Sequence, residues 1–103
     1  MNHHLKTTAE TRVLLHVSRF IDYEKLEDFG ASLELNANQI YCAKYSAEGY
    51  LPRECFNLLI KWKQINGRKA TYERLLHVLT LCKNKGHSID VENIQECIQN
   101  SFK

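Results

Sequence analysis

Apolar residues recur every three or four positions along almost the whole chain, which is the spacing of amphipathic helices. Six such segments are separated by short polar connections. The first is predicted to begin at Thr7, where Thr-x-x-Glu matches a capping box. Its apolar face consists of Val13, Leu14, Val17, Phe20 and Ile21. The second is predicted to follow Asp22, and its apolar positions are Tyr23, Leu26, Phe29 and Leu33.

Local capping signals place the next two helices. Asn36 is predicted to begin the third, with Gln39 at the position that bonds back to the cap. That helix presents Ile40, Tyr41 and Ala43, and residues 45–51 form a loop. Pro52 suits the first turn of the fourth helix, where its missing amide hydrogen is no loss. The pattern extends that helix to about Asn66.

A short corner then separates the fourth and fifth helices. Gly67 favours the left-handed backbone that closes a helix, and Thr71 can cap the first free amides of the next. The fifth helix is predicted to run to about Lys85. Asp90 caps the sixth, whose expected buried positions are Val91, Ile94, Cys97 and Ile98.

The 103-residue chain, 44% hydrophobic, suits one domain with one core. Residues 1–6 are expected to form a flexible tail and residues 7–103 the folded domain. Because no helix can bury its apolar face alone, the six must share a core, which predicts an all-α bundle. The predicted core consists of Leu26, Phe29, Leu33, Ile40, Leu59, Trp62, Leu75, Leu79 and Ile94.

Two stretches resemble a known family. Trp62, a glycine five residues later and Ala70-Thr71, followed by leucines at helical spacing, resemble the helix 4 to helix 5 corner of a death domain. Residues 26–36 resemble its helix 2 pattern Trp-x-x-Leu-Ala-x-x-Leu-Gly-Leu. Two departures from that pattern stand out: Leu26 replaces the usual tryptophan, and Glu34 replaces the usual glycine.

The resemblance covers roughly residues 12–100 and implies a six-helix antiparallel Greek-key bundle, the death fold. It implies a non-enzymatic module without a cofactor, which assembles apoptotic or innate-immune signalling complexes through homotypic contacts. The expected partners are other death-domain proteins. The chain has no apolar run near the roughly 20 residues of a membrane span, and its start lacks the apolar core of a signal peptide. We therefore expect a cytoplasmic protein, or the intracellular tail of a receptor.

Charged residues separate by sign along the sequence. Residues 22–34 contain five acidic residues against Lys25, and residues 61–85 contain seven basic residues against Glu73. One interpretation is ordinary solvated helix faces. The other is a pair of complementary patches, and opposite patches at different places on one molecule make head-to-tail contacts.

In death domains an acidic helix 2–3 surface commonly meets a basic helix 1–4 surface. The matching acidic positions are Asp22, Glu27, Asp28 and Glu34. The matching basic positions are Arg12, Arg19, Lys61 and Lys63. A second family contact uses the helix 4–5 corner, where the residues expected to be exposed and to bind a partner are Asn66, Arg68 and Lys69.

Other interpretations stay open at this point. The basic segment 61–85 fits a helical nucleic-acid-binding domain, although a pI near 8.4 is below that of dedicated binders. A structural helical domain of a larger scaffold also fits. Tyr41, Tyr45 and Tyr50 suit either a partly exposed binding patch or half-buried supports.

Metal and thiol chemistry has little support in the sequence. The spacing His77-x4-Cys82-x4-His87 fits no common zinc motif. The four cysteines are far apart and contain no Cys-x-x-Cys pair. They are expected to be reduced and mostly buried, with a disulfide framework as the alternative.

Overall fold

Six α-helices follow the six apolar segments in a computed structural model that describes residues 3–103. They are α1 Thr11–Val17, α2 Leu26–Ser32, α3 Ala37–Ser46, α4 Leu51–Asn66, α5 Tyr72–Asn84 and α6 Val91–Asn100. Short 3-10 turns occupy His3–Lys6, Ser18–Phe20 and Gly67–Lys69. The described residues form no β-strand, only two isolated antiparallel bridges. The predicted all-α class and helix number are therefore confirmed.

Three helix starts match their predicted caps. The Asn36 side chain accepts a hydrogen bond from the Gln39 amide at 2.8 Å, and the Gln39 side chain accepts from the Asn36 amide at 2.9 Å. Thr71 Oγ1 and Asp90 Oδ1 each accept an amide hydrogen bond at 3.2 Å from the residue three positions on. Each such cap contributes about 1 kcal/mol to helix stability.

The predicted start of the first helix was wrong by four residues. Thr7 lies in an extended segment that pairs with residues 70–72: the Tyr72 amide donates to the Thr7 carbonyl at 3.0 Å, and the Ala9 amide donates to the Ala70 carbonyl at 2.7 Å. Because this pairing holds the segment extended, the expected capping box does not form. Glu10 precedes α1 without a side-chain cap, and its amide donates to the Tyr72 hydroxyl at 3.0 Å.

The second helix also starts later than predicted, at Leu26, because Lys25 has a left-handed backbone with φ of 57°. At the amino end, Leu5 packs against the core and Lys6 forms an ion pair with Glu73 at 2.9 Å. The flexibility expected of residues 1–6 stays a prediction, and residues 1 and 2 lie outside the described part of the chain.

The predicted core is nearly correct. All of its members except Ile40 are buried, with exposed fractions between 0% and 4%. Ile40 is only half-buried because α3 lies at the side of the bundle, where Ala43 is its one buried residue. Ile40 nevertheless packs on Gly30, where an added Cβ would lie 2.9 Å from Ile40 Cγ1 and 3.1 Å from Leu58 Cδ2. Glycine therefore lets α2 approach α3 and α4 closely.

Each helix packs against particular other helices. α1 contacts α4 and α6, α3 contacts α4 and α2, and α5 contacts α6 and α2. The segment after α1 is tied to a late part of the chain, because the Asp22 amide donates to the Ser88 carbonyl and the Asp90 amide donates to the Phe20 carbonyl, each at 2.9 Å.

Candidate functional site

The predicted acidic residues surround α2, and all four are exposed. Asp22 precedes the helix, and Glu34 follows its end. Glu27 and Asp28 occupy its first turn, where the helix dipole favours negative charge. Lys44 reaches Glu27 with an Nζ to Oε1 distance of 3.2 Å, but both side chains are more than half exposed, so the pair contributes at most about 1 kcal/mol. This acidic surface is accessible to a partner.

The predicted basic residues of the first and fourth helices do not form one surface. Arg12 lies on α1 and Arg19 in the 3-10 turn that follows it, and both line a depression between this segment and α6. Lys63 points toward the start of α1, with Nζ 3.3 Å from Thr11 Oγ1. Lys61 is two residues from Lys63, which places the two side chains about 160° apart around α4. The structure therefore divides these four cations among separate places.

At the corner between α4 and α5, Arg68 and Lys69 are exposed as predicted. The predicted exposure was wrong for Asn66, which is half-buried and whose Nδ2 donates to the Trp62 carbonyl at 2.8 Å. That bond satisfies one of the free carbonyls at the end of α4. Arg68 and Lys69 line one depression with Arg74, and none of the three forms an ion pair within residues 3–103. We call Arg68, Lys69 and Arg74 the basic corner.

A second surface was left open by the sequence, and the structure shows that its tyrosines are exposed. Tyr41 is 61% exposed and Tyr45 is 73% exposed. One turn apart on α3, their rings stack with centroids 5.8 Å apart and planes at 28°. Leu51, at the start of α4, is also exposed and adds an apolar wall. The groove, of about 690 Å³, is lined mainly by Tyr41, Lys44, Tyr45, Glu48, Leu51 and Glu54, and we call it the tyrosine groove.

Glu54 lies at this groove and is only 4% exposed. Burial raises the pKa of Glu54, nearby Lys44 opposes that shift, and Glu27 adds to it. Lys44 is already paired with Glu27, and no described cation forms an ion pair with Glu54. Sequence reasoning missed this residue, although its spacing of four residues from Leu58 placed a carboxylate on the buried stripe of α4.

The histidines and cysteine of the considered zinc spacing do not converge. His77 is exposed at the basic corner, whereas Cys82 is buried. His87 packs edge-on against Phe29 with centroids 5.8 Å apart, and its Nε2 lies 3.5 Å from Ser32 Oγ. In the described part of the chain, no group of three His, Cys, Asp or Glu side chains has the arrangement of a metal site.

The four cysteines are free thiols with different environments. Cys55 and Cys82 are buried and Cys97 is half-buried, in line with the expectation of mostly buried thiols, whereas Cys42 is exposed. Burial raises the pKa of Cys55 to about 12 and raises the pKa of Cys82 and of Cys97. These three environments therefore favour protonated thiols, whereas a nucleophilic cysteine needs a lowered pKa.

No protein-family model matches the chain, and no curated protein matches it. Among residues 3–103, no helix has the length and apolar character required to cross a membrane.

Proposed function

We propose that this chain is a non-enzymatic protein-interaction module that assembles with copies of itself or with other death-domain proteins. The observation that carries the proposal is the separation of exposed charge. Acidic side chains surround α2, whereas the basic corner lies where α4 meets α5. Opposite patches at different places on one surface suit head-to-tail contacts, which close into rings or continue as filaments.

Two structural details support the death-fold part of the proposal. The neighbours of each helix are compatible with an antiparallel Greek-key bundle. Glu34, at the position where the family pattern has glycine, has a positive φ of 66°, which is a conformation that glycine adopts at little cost. The proposed setting is the cytoplasm, in apoptotic or innate-immune signalling. Free cysteine thiols suit such a reducing compartment.

Light scattering across protein concentration and salt tests this function. Raising the salt from about 0.1 M to about 1 M shortens the Debye length from about 10 Å to about 3 Å, which weakens contacts between exposed charges. We expect reversible species larger than a monomer at low salt and dissociation at high salt. A monomer at every concentration and salt would refute self-assembly.

A matched pair of variants separates the acidic surface from general charge effects. Asp28 lies in the first turn of α2, and Glu92 lies in the first turn of α6, and both are exposed. Charge reversal at either position removes one favourable helix-dipole interaction. We expect Asp28→Lys to weaken assembly and Glu92→Lys to leave it unchanged. Equal effects of the two substitutions would contradict a role for the acidic surface.

A further inference from the structure

The tyrosine groove has the features of a site for a cationic side chain. Tyr41 and Tyr45 present large aromatic surfaces to solvent, although such side chains are usually covered. The face of a tyrosine ring attracts the guanidinium of arginine or the ammonium of lysine. Aromatic residues are also enriched in protein interfaces, where they supply much of the binding energy.

The charges of the groove favour the same kind of ligand. Glu48 and Glu54 line it, and neither forms an ion pair with another residue of the described chain. The one cation in the lining, Lys44, is engaged with Glu27 at 3.2 Å. An incoming cation would therefore meet two carboxylates that lack an ion-pair partner, beside two aromatic rings. Burial already disfavours the charged form of Glu54, so a nearby cation would relieve part of that cost.

The basic corner is the complementary surface on the same molecule. Its three cations line one depression and lack an ion-pair partner in residues 3–103. The corner follows the last residue of α4, whereas the groove contains residues of its first turn. A 16-residue helix is about 24 Å long, so a chain cannot place its own corner in its own groove. The contact must join two molecules.

We propose that the tyrosine groove of one molecule receives the basic corner of a second copy of this chain. Arg68 or Lys69 packs on Tyr41 and Tyr45 and pairs with the carboxylate of Glu48. The contact uses different surfaces on the two copies, so a dimer leaves one groove and one corner free. The proposal rests on the proposed function and names one contact through which self-assembly occurs. The groove adjoins the acidic surface around α2, because Lys44 of its lining is paired with Glu27.

Two variants with separate defects test the pairing. The groove variant carries Tyr41→Ala and Tyr45→Ala, and the corner variant carries Arg68→Glu and Lys69→Glu. All four side chains are exposed, so both variants should keep the helical circular dichroism and melting temperature of the parent. We expect each variant alone to self-associate at least about tenfold more weakly, which corresponds to about 1.4 kcal/mol. A 1:1 mixture should form a dimer, because one intact groove meets one intact corner, and should not grow further.

Control variants remove similar side chains elsewhere. Tyr50 is 66% exposed but does not line the groove, and Lys83 is exposed near the far end of α5. Tyr50→Ala and Lys83→Glu should assemble like the parent chain. Sedimentation velocity at low salt measures all of these species.

The outcomes separate this inference from the proposed function. If the parent chain assembles in a salt-sensitive manner and the groove and corner variants assemble equally well, the pairing is wrong and the function stands. If both variants lose assembly but their mixture stays monomeric, the two surfaces do not bind each other, and the pairing is again wrong. If the parent chain is monomeric under all conditions, both the pairing and self-assembly are refuted.

Discussion

Replacing Glu34 with glycine is expected to stabilise the fold. Glu34 follows α2 with a φ of 66°, and two backbone hydrogen bonds, from its own amide and from the next amide, close the end of the helix. Its amide donates to the Ala31 carbonyl at 2.9 Å, and the Leu35 amide donates to the Gly30 carbonyl at 3.2 Å. This is the Schellman arrangement, in which the residue occupied by Glu34 is most often glycine. A side chain with a Cβ atom is strained in this conformation.

The size of the effect follows from two opposing contributions. The left-handed conformation costs an L-residue about 1–2 kcal/mol, and glycine removes that cost. Glycine also makes the unfolded chain more flexible, which costs about 0.5–1 kcal/mol. The net gain at Glu34 is therefore about 0.7 kcal/mol, the middle of a range of about 0–1.5 kcal/mol. For a domain of about 100 residues a gain of this size raises the melting temperature by about 3–6 °C.

Urea and thermal denaturation followed by circular dichroism measure this gain, and two controls isolate its cause. Glu34→Ala removes the carboxylate but keeps the Cβ atom, so it should not give the gain. Glu27→Gly places glycine inside α2, where it should destabilise by about 1 kcal/mol. If Glu34→Gly is no more stable than Glu34→Ala, the strain argument is refuted.

Three further predictions concern buried positions and thiols. Gly30→Ala should lower the free energy of unfolding by about 1–3 kcal/mol, because the Cβ of the alanine would lie 2.9 Å from Ile40 Cγ1. A urea denaturation curve identical to that of the parent would contradict this prediction. Burial raises the pKa of Glu54 in the folded state above the value of about 4.3 for an unperturbed glutamate. Because the folded chain then holds this proton more tightly than the unfolded chain, the parent should lose stability as the pH rises from about 4.3 through the raised pKa. Glu54→Gln should therefore be more stable than the parent at neutral pH, with a gain that shrinks in acid, and a gain independent of pH would argue against the assigned cause. Cys42 is exposed, whereas Cys55 is buried and burial raises its pKa to about 12. A thiol reagent should therefore label Cys42 far faster than Cys55 in the native state. Mass spectrometry of the labelled peptides would show whether the two rates differ.

Helix number, most caps and the core were predictable because they depend on spacing within each segment. Trp62 and Leu79 lie on apolar stripes that any packed arrangement must bury, and both are buried. The start of α1 was not predictable in this way. The segment around Thr7 is held extended by backbone groups of residues 70–72, and no local pattern contains that information.

The surfaces were harder to predict because they depend on how the helices turn relative to one another. The family pattern grouped Lys61 with Lys63, although helical spacing alone separates them. Whether Tyr41 faces the core or solvent depends on how α3 packs on α4, and α3 buries only Ala43. Glu54 was overlooked because its burial conflicts with its charge. Such conflicts between a residue and its environment often mark sites that bind something.

The ties that hold both flanks of α1 have a consequence for folding during synthesis. The segment before α1 bonds to residues 70–72, and the segment after it bonds to residues 88–90. A seven-residue helix is too short to be stable alone in water. During synthesis, the residues that bond to the flanks of α1 leave the ribosome only when nearly the whole chain has been made. The flanks of α1 therefore cannot be fixed before that point. We expect the nascent domain to acquire its native core only when the sixth helix is available, so a chain stalled before that point would expose the apolar face of α1 to chaperones.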